Sequence, residues 1–403
     1  MSSKARIALV YFLLGFLLYA PSARAANALA TLDIRAEQFA EDPTGRFLYA
    51  SEFRTHKIFR IDLQTLQIDQ TFYGGQGPAG MTFSTDGRLM YVANIFSTTV
   101  SVVDVATHTL VNQIDLPTNA YDLELGAGGQ LYVTPVGSLG SIRTDIMQVD
   151  TTTGQYVGDF ARPLGSIGDW GLLQISPDRK TLYSGNTGSS LGTVVAYDVS
   201  DGTPTLIWTN ERTNLLNSYQ TVELGGPGSD LELSRDGKWL TYLAGGGNDA
   251  NGKDNHVAII DTATFEIVDD FGYGPPVRAP SEGTFSPDNA VYYAVHSESR
   301  IYMHVLDRDA YLAAPLFEQV SGFATPGGPN SSTVELYVDP SGRHLFAATS
   351  RGLLVFDTGR QVIPEPSAVV LAAIALLGSG LRMGKGRATT CRTWHGSSSD
   401  TRP

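Results

Sequence analysis

The chain has 403 residues, 42% of them hydrophobic and 17% charged, a composition that supports a folded core and excludes a disordered chain. Its single cysteine, Cys391, stands near the C-terminus, which excludes an intrachain disulfide, a cysteine-based metal site and a covalently attached haem. A formal net charge of −13 disfavours nucleic acid and anionic lipid as partners and suits cations, basic proteins or neutral glycans, or simply solubility.

In chain order, the first 25 residues read as a secretory signal. Lys4 and Arg6 precede an apolar run from Ile7 to Ala20, and Ala23-Arg24-Ala25 supplies a small-x-small cleavage pattern at Ala23 and Ala25. The alternative, an uncleaved anchor, needs about 20 apolar residues and finds fewer here. With this segment and the last 40 residues set aside, 39 acidic residues face 20 basic ones.

From residue 26 to about residue 360 the sequence repeats. Seven times it gives a turn signal, a short aromatic-rich run, a gap, a β-branched run closed by aspartate, and another apolar run. The turns fall at Asp42-Pro43-Thr44-Gly45, Asp86-Gly87, Gly128-Gly129, Asp178-Arg179, Asp236-Gly237, Asp288-Asn289 and Asp339-Pro340-Ser341-Gly342. The closing aspartates are Asp62, Asp104, Asp150, Asp198, Asp261, Asp307 and Asp357. That period matches a four-stranded blade with variable loops, so the predicted fold is all-β, a seven-bladed β-propeller without helices in this span. In the second repeat the strands are expected at Met81–Phe83, Leu89–Ala93, Val100–Val105 and Leu110–Leu116.

Tyr91-Val92-Ala93-Asn94 followed by Val100-Ser101-Val102-Val103-Asp104 resembles the YVTN repeat of surface propellers, with looser copies at Tyr132-Val133-Thr134 and Tyr183-Ser184-Gly185-Asn186. The seventh repeat runs out at Asp357 after three strands, whereas Leu29 to Ile34 is a spare apolar segment ahead of the first. The N-terminal segment is therefore expected to complete the last blade beside Val334–Leu336, Leu345–Ala348 and Leu353–Phe356, removing an exposed sheet edge.

Two familiar motifs carry no chemistry here. Gly75-Gln76-Gly77-Pro78-Ala79-Gly80 has dinucleotide spacing but leads into a strand, where a pyrophosphate needs a helix N-terminus. Gly188-Ser189-Ser190-Leu191-Gly192 has nucleophile-elbow spacing but joins two strands. His296 and His304 lie in one hairpin; pairing His296 with Ile301 would turn them to opposite faces.

The inner strands are more informative. Aligned on their turns, Gln38, Thr82, Glu124, Gln174, Glu232, Thr284 and Glu335 share one position, and Ala36, Gly80, Asp122, Leu172, Asp230, Glu282 and Thr333 stand two residues earlier. Strand alternation puts both sets on one side. Glu124, Glu232, Glu335, Asp122, Asp230 and Glu282 could thus form acidic rings along the channel able to bind Ca²⁺; the alternative is that they hydrogen-bond between blades or face channel water. Asp249, Asn251 and Asp254, in the loop Gly245 to His256, are a weaker cation candidate, with a solvated loop as the alternative. In the loops between blades, Tyr121, Trp170 and Tyr273 would offer flat faces to sugar rings if they are not packed inside.

The C-terminal stretch, residues 361–403, places Pro364-Glu365-Pro366 before an uncharged run from Ala368 to Leu381, then Arg382, Lys385 and Arg387. This order resembles the PEP-CTERM sorting signal of Gram-negative bacteria. The resemblance implies an exosortase-type processing enzyme as partner, passing membrane association through the apolar segment, and a final place in the envelope, on the surface or outside the cell. The chain runs on to Pro403, beyond the usual end of such tails, and the alternative is a plain membrane anchor with its positive residues held inside.

Two function classes follow. One is a non-enzymatic surface or matrix propeller that binds a glycan or protein partner. The other is a propeller enzyme of lactonase or quinoprotein-dehydrogenase type, with Glu124, Glu232, Glu282 and Asp230 as the set a metal-dependent lactonase would need. Fold alone does not choose between them.

Overall fold

The computed structural model describes residues 28–136, 145–160, 171–186, 194–209, 228–244, 256–271, 280–296, 300–306, 313–317, 335–349 and 352–360. The signal segment, Asp249, Asn251, Asp254, Trp170, Tyr273, Asp307, residues 188–192 and the whole tail, with its Pro364-Glu365-Pro366 motif and Arg382, Lys385 and Arg387, lie outside the described residues.

Every regular element among the described residues is a strand, and the strands form seven four-stranded antiparallel sheets. No helix there is long and apolar enough to cross a membrane. The second blade follows the sequence reading closely: its strands are Pro78–Phe83, Leu89–Asn94, Thr99–Asp104 and Thr109–Asp115, each paired to the next.

The seven turns share one local solution. The residue at the tip has positive φ in every blade: Gly45, Gly87, Gly129, Arg179, Gly237, Asn289 and Gly342, at 54–77°. Its N–H donates three residues back, to the carbonyl of Asp42, Ser84, Gly126, Ser176, Ser234, Ser286 or Asp339. Ser or Asp at that first position also uses its side chain, as when Ser84 Oγ accepts from the Leu89 N–H at 2.9 Å. The closing aspartates do similar work at the next corner. Asp62, Asp104, Asp150, Asp198, Asp261 and Asp357 each accept a hydrogen bond through Oδ1 from a backbone N–H two or three residues on. The repeated aspartate in the sequence is thus a turn device.

The core is distributed round the ring. Alternation along each strand sends side chains to both faces of a blade, and seven apolar clusters fill the seven gaps between neighbours. Tyr91 and Val100 of blade two pack on Leu123 and Val133 of blade three, for example, while Met90 and Val92 turn back towards Tyr49 of blade one. The position after the turn is aromatic in six of the seven blades, held by Tyr49, Tyr91, Tyr132, Tyr183, Tyr293 and Phe346, all buried, and is Thr241 in blade five; a large apolar side chain so placed contributes about 1.5–3 kcal/mol.

The ring closes through the N-terminal segment. Ala30–Leu32 pairs antiparallel with Gly352–Asp357, which pairs with His344–Thr349 and then Leu336–Val338. The inner strand falls two residues later than the sequence indicated. Ile34 and Ala36 complete the cluster between blades seven and one. The approach is close at Gly352 (φ 126°), where a Cβ would stand 2.6 Å from the Leu32 carbonyl oxygen, so no larger residue fits without displacing the strand.

One register differs from expectation. His296 pairs with Arg300 and His304 with Tyr292, so the two histidine positions fall on one face of the hairpin rather than on opposite faces. They remain four residues apart along the hairpin, about 13 Å, and His304 is buried at 3% exposure. The observed register is one residue tighter than the pairing of His296 with Ile301 would need, which inverts the parity.

Candidate functional site, the axial cavity

The first strands of the blades line the axis, and the space they leave is a cavity of about 90 Å³. Glu124, Glu232, Glu335, Asp122, Asp230 and Glu282 all border it, together with Gln38, Gln174 and the apolar Phe39, Met81, Leu172 and Leu231. The six acids that the alignment grouped are thus brought to one place, but they have two different occupations.

The aspartates tie blades together. A bulge precedes Asp122 and another precedes Asp230; bulges re-aim the side chain that follows. Asp122 Oδ1 accepts from the Leu123 N–H at 2.9 Å and Oδ2 from the Leu173 N–H of the next blade at 2.9 Å. Asp230 repeats this with Leu231 at 2.7 Å and Gly283 at 3.0 Å. Between blades two and three the backbone itself comes close: a Cβ on Gly80 would lie 2.7 Å from the Asp122 Cα, so the blade-two counterpart of Asp122 has to be glycine.

The glutamates at the other position face the cavity. Thr82 Oγ1 donates to Glu124 at 3.2 Å and Thr284 Oγ1 to Glu232 at 3.0 Å, each threonine coming from an adjacent blade. Glu282 shares a hydrogen bond with Asp230. Glu335 and Gln38 do not share this position as the alignment expected: in blades one and seven it is Ala40 and Tyr337 that pair with Tyr49 and Phe346, as Thr82 pairs with Tyr91, so Gln38 and Glu335 lie at the position of Asp122, Asp230 and Glu282.

Desolvation dominates the electrostatics. Burial pushes Asp122 and Asp230 up to about 7, against the lowering effect of their backbone donors. It lifts Glu124 and Glu232 to about 8, with neighbouring Asp122 and Asp230 adding to the rise. Glu282 and Glu335 are raised well above the carboxylate range, by burial first and then by the surrounding acids. Glu37, on the first blade, is also lifted by burial to about 8, and its Oε2 is buried with no hydrogen-bond partner.

At the turn end of the channel two arginines reach across between blades, which the sequence reading missed. Arg235 of blade five reaches Glu41 of blade one with two bonds of 3.0 and 2.7 Å, and Tyr337 OH donates to the same carboxylate at 2.5 Å. Burial works against the Arg235 charge, but Glu41 outweighs it and the pKa is raised. Arg179 spans from blade four to Thr85 Oγ1 and the Phe83 carbonyl of blade two at 3.1 and 3.3 Å. A signal existed: Arg235 occupies the turn position that holds Pro43, Thr85, Ala127, Pro177, Pro287 and Pro340 in the other blades.

At the loop end the described residues of blades one to three include an apolar group. Phe53, Ala79, Ile95 and Tyr121 form a cluster there. Tyr121, expected as a flat face for sugars, is 7% exposed and packs inside; the ring that does reach solvent is Phe96, 53% exposed and edge-to-face on Phe53 at 5.7 Å. Gly75-Gln76-Gly77 leads directly into a strand, as read from sequence.

Among the described residues no three His, Cys, Asp or Glu side chains are placed to hold one metal ion. Ca²⁺ takes about six to eight oxygens in one shell, and Asp122 and Asp230 already give both oxygens to backbone N–H groups, so the donor set as described does not fit that ion.

Comparison with known proteins agrees on the architecture. A YNCE-like beta-propeller family model matches residues 29–123. No curated protein matches the chain. Among solved structures, Kuenenia stuttgartiensis hydrazine synthase is similar with a TM-score of 0.58 at 20% identity, covering 82% of this chain and 98% of that one. The β-propeller domain of Myceliophteria thermophila Cps50 (Swd1) gives a TM-score of 0.59 at 15% identity, covering 82% and 99%. A hydrazine synthase and the Cps50 (Swd1) β-propeller domain thus share this fold. The chain is a seven-bladed β-propeller whose residues 29–123 are similar to the YNCE-like beta-propeller family.

Proposed function

We propose that the chain is an exported propeller that serves as a non-enzymatic binding or structural module at the cell envelope, at the surface or in the surrounding matrix, delivered there by an exosortase-type system. The observation that carries the module reading is the use made of the channel aspartates. Asp230, which a lactonase-type site would need at its metal, gives both oxygens to backbone N–H groups of its own and the next blade, and Asp122 does the same. Export and sorting rest on the sequence, on Ala23-Arg24-Ala25 at one end and Pro364-Glu365-Pro366 with Arg382, Lys385 and Arg387 at the other.

Intact mass spectrometry of the native protein, recovered separately from envelope and medium, tests the delivery. A mass that starts near Ala26 and ends near Pro364-Glu365-Pro366 supports it; full-length chain in the inner membrane overturns it. Lactonase or esterase turnover that vanishes in Glu232→Gln would overturn the module reading in favour of an enzyme.

A further inference from the structure

Three rings meet where the loops of blades one and two come together. Phe96 is 53% exposed, yet it is held in place: Phe53 stands edge-to-face with it at 5.7 Å and His56 at 6.1 Å. Its N–H donates to the Gln76 carbonyl at 3.0 Å, and that of Ile95 to the Gly77 carbonyl at 2.8 Å. Gly77 comes so close that a Cβ there would stand 2.6 Å from the Phe96 ring, so the ring rests on backbone. An aromatic side chain fixed in this way loses little entropy when a ligand stacks on it.

The polar groups beside these rings are unspent. The Gly77 N–H donates to His56 Nδ1 at 2.9 Å, which puts the imidazole proton on Nε2, and no group among the described residues accepts it. The Arg54 guanidinium lies over the Phe53 ring at 5.4 Å and makes no hydrogen bond or ion pair among the described residues. Arg54 and Lys57 are both exposed on this hairpin. Glu52 does not engage Arg54, because its oxygens accept from the Arg35 N–H at 2.8 Å and from the Thr55 hydroxyl. Glu37, lifted by burial to about 8, is largely neutral at pH 7. The hairpin is thus a small cationic spot on a chain whose net charge is −13.

We infer that this corner binds a uronate-bearing end or branch of a glycan. One sugar stacks its C–H face on Phe96, its carboxylate or that of the next residue pairs with Arg54, and a hydroxyl accepts from His56 Nε2. This names the ligand of the binding-module reading and rests on it. Three features select that ligand. A ring more than half exposed offers a stacking face, whereas the apolar side chain of a peptide anchors best in an enclosed pocket. Arg54 and the Nε2 side of His56 are donors without acceptors, so they call for an oxygen-rich partner. The local positive sign favours a carboxylate, while the acidic remainder of the chain repels a long polyanion, which leaves a short acidic stretch as the best match.

Saturation-transfer NMR and affinity titration on the full-length protein test the inference. The probes are trigalacturonate and trimannuronate as acidic saccharides, maltotriose as a neutral one and acetylated triglutamate as an acidic peptide. Saturable binding of at least one uronate is expected, with transfer from aromatic protons to its ring C–H protons and an affinity about tenfold above that of maltotriose. Phe96→Ala should weaken it about tenfold. Arg54→Gln should weaken it about fivefold and bring uronate and maltotriose close together. Absence of saturable binding by both uronates, equal affinity for maltotriose or triglutamate, or an unchanged affinity in Phe96→Ala overturns the inference. The transfer measurement on the parent protein needs no variant and decides the matter even if Phe96→Ala fails to fold. A negative result would leave untouched the mass-spectrometric test of delivery and the turnover test at Glu232, so it would remove the ligand and not the module reading.

Discussion

The two ends of the axial channel treat charge in opposite ways. At the turn end two arginines reach across between blades and are held: Arg235 by Glu41 and Tyr337, and Arg179 by Thr85 and a carbonyl. In the cavity above, six carboxyls crowd together and only some have donors. Paired charges on the rim fix the geometry of the ring at modest cost, whereas unpaired acids at the axis make it sensitive to pH. The turn end behaves as scaffold and the cavity as the part able to respond.

The largest expected effect follows from the cavity. A carboxyl whose folded pKa is raised contributes stability that is complete below its unfolded value and is lost as pH rises through the folded value. Asp122 and Asp230 titrate at about 7 and Glu124 and Glu232 at about 8 in the fold. The turn aspartates Asp104 and Asp150 have the opposite sign. Backbone donors, from Thr107 and Thr152 foremost, lower their pKa values, so their contribution is lost on the acid side. Stability to urea should therefore peak at about pH 4, fall between there and about pH 8, and level off above. A midpoint that stays level from pH 6 to 9 would show that the cavity acids are solvated after all.

Asp230→Ala comes next. It strips the acceptor from the buried N–H groups of Leu231 and Gly283, at a cost of about 2–3 kcal/mol. It also removes a charge that raises Glu232, Glu282 and Glu335. The penalty measured at pH 6 should therefore shrink at pH 9. An equal penalty at both values would mean that Asp230 acts only as a blade tie.

Much of this was open to reading in the sequence. The seven tips could be located because positive φ at a hairpin corner demands Gly or Asn in most blades, and the count of strands left Leu29 to Ile34 as the only spare. The six acids came out of a period-two argument on the inner strands, which holds wherever strands are regular. What failed was position along that argument. Bulges before Asp122 and Asp230 turn these residues sideways into the next blade, and no residue type marks a bulge. The histidine hairpin was misjudged for the same reason, one residue of register inverting the faces. The cross-channel link from Arg235 to Glu41 joins blades that are not neighbours, so strand alternation could not reveal it.

That link sets the third prediction. Arg235→Ala should cost about 1–2 kcal/mol, more than an ordinary surface ion pair, because the pair is bidentate and Tyr337 shares the carboxylate. The loss should be nearly the same at low and high salt, since the contact is partly buried. A loss that disappears in high salt would make the turn end an ordinary surface.

The smallest effect is expected at Arg179, where two terms oppose each other. The residue holds φ at 61° in a position that is glycine in five of the other six turns, and a side chain there costs about 1 kcal/mol or slightly more. Its guanidinium gives back hydrogen bonds to Thr85 and the Phe83 carbonyl at 3.1 and 3.3 Å, about 0.5–1.5 kcal/mol each at most and less where solvent competes. Arg179→Gly removes both terms and should leave stability within about 0.5 kcal/mol of the parent. Arg179→Ala keeps the strained backbone and loses the bonds, so it should fall below Arg179→Gly by about 1 kcal/mol, the backbone term alone. Urea midpoints of the two variants measure that gap directly. If they coincide, the corner carries no strain and the arginine is there for its reach across the channel, which would extend the paired, rigid character of the turn end from blade five to blade four.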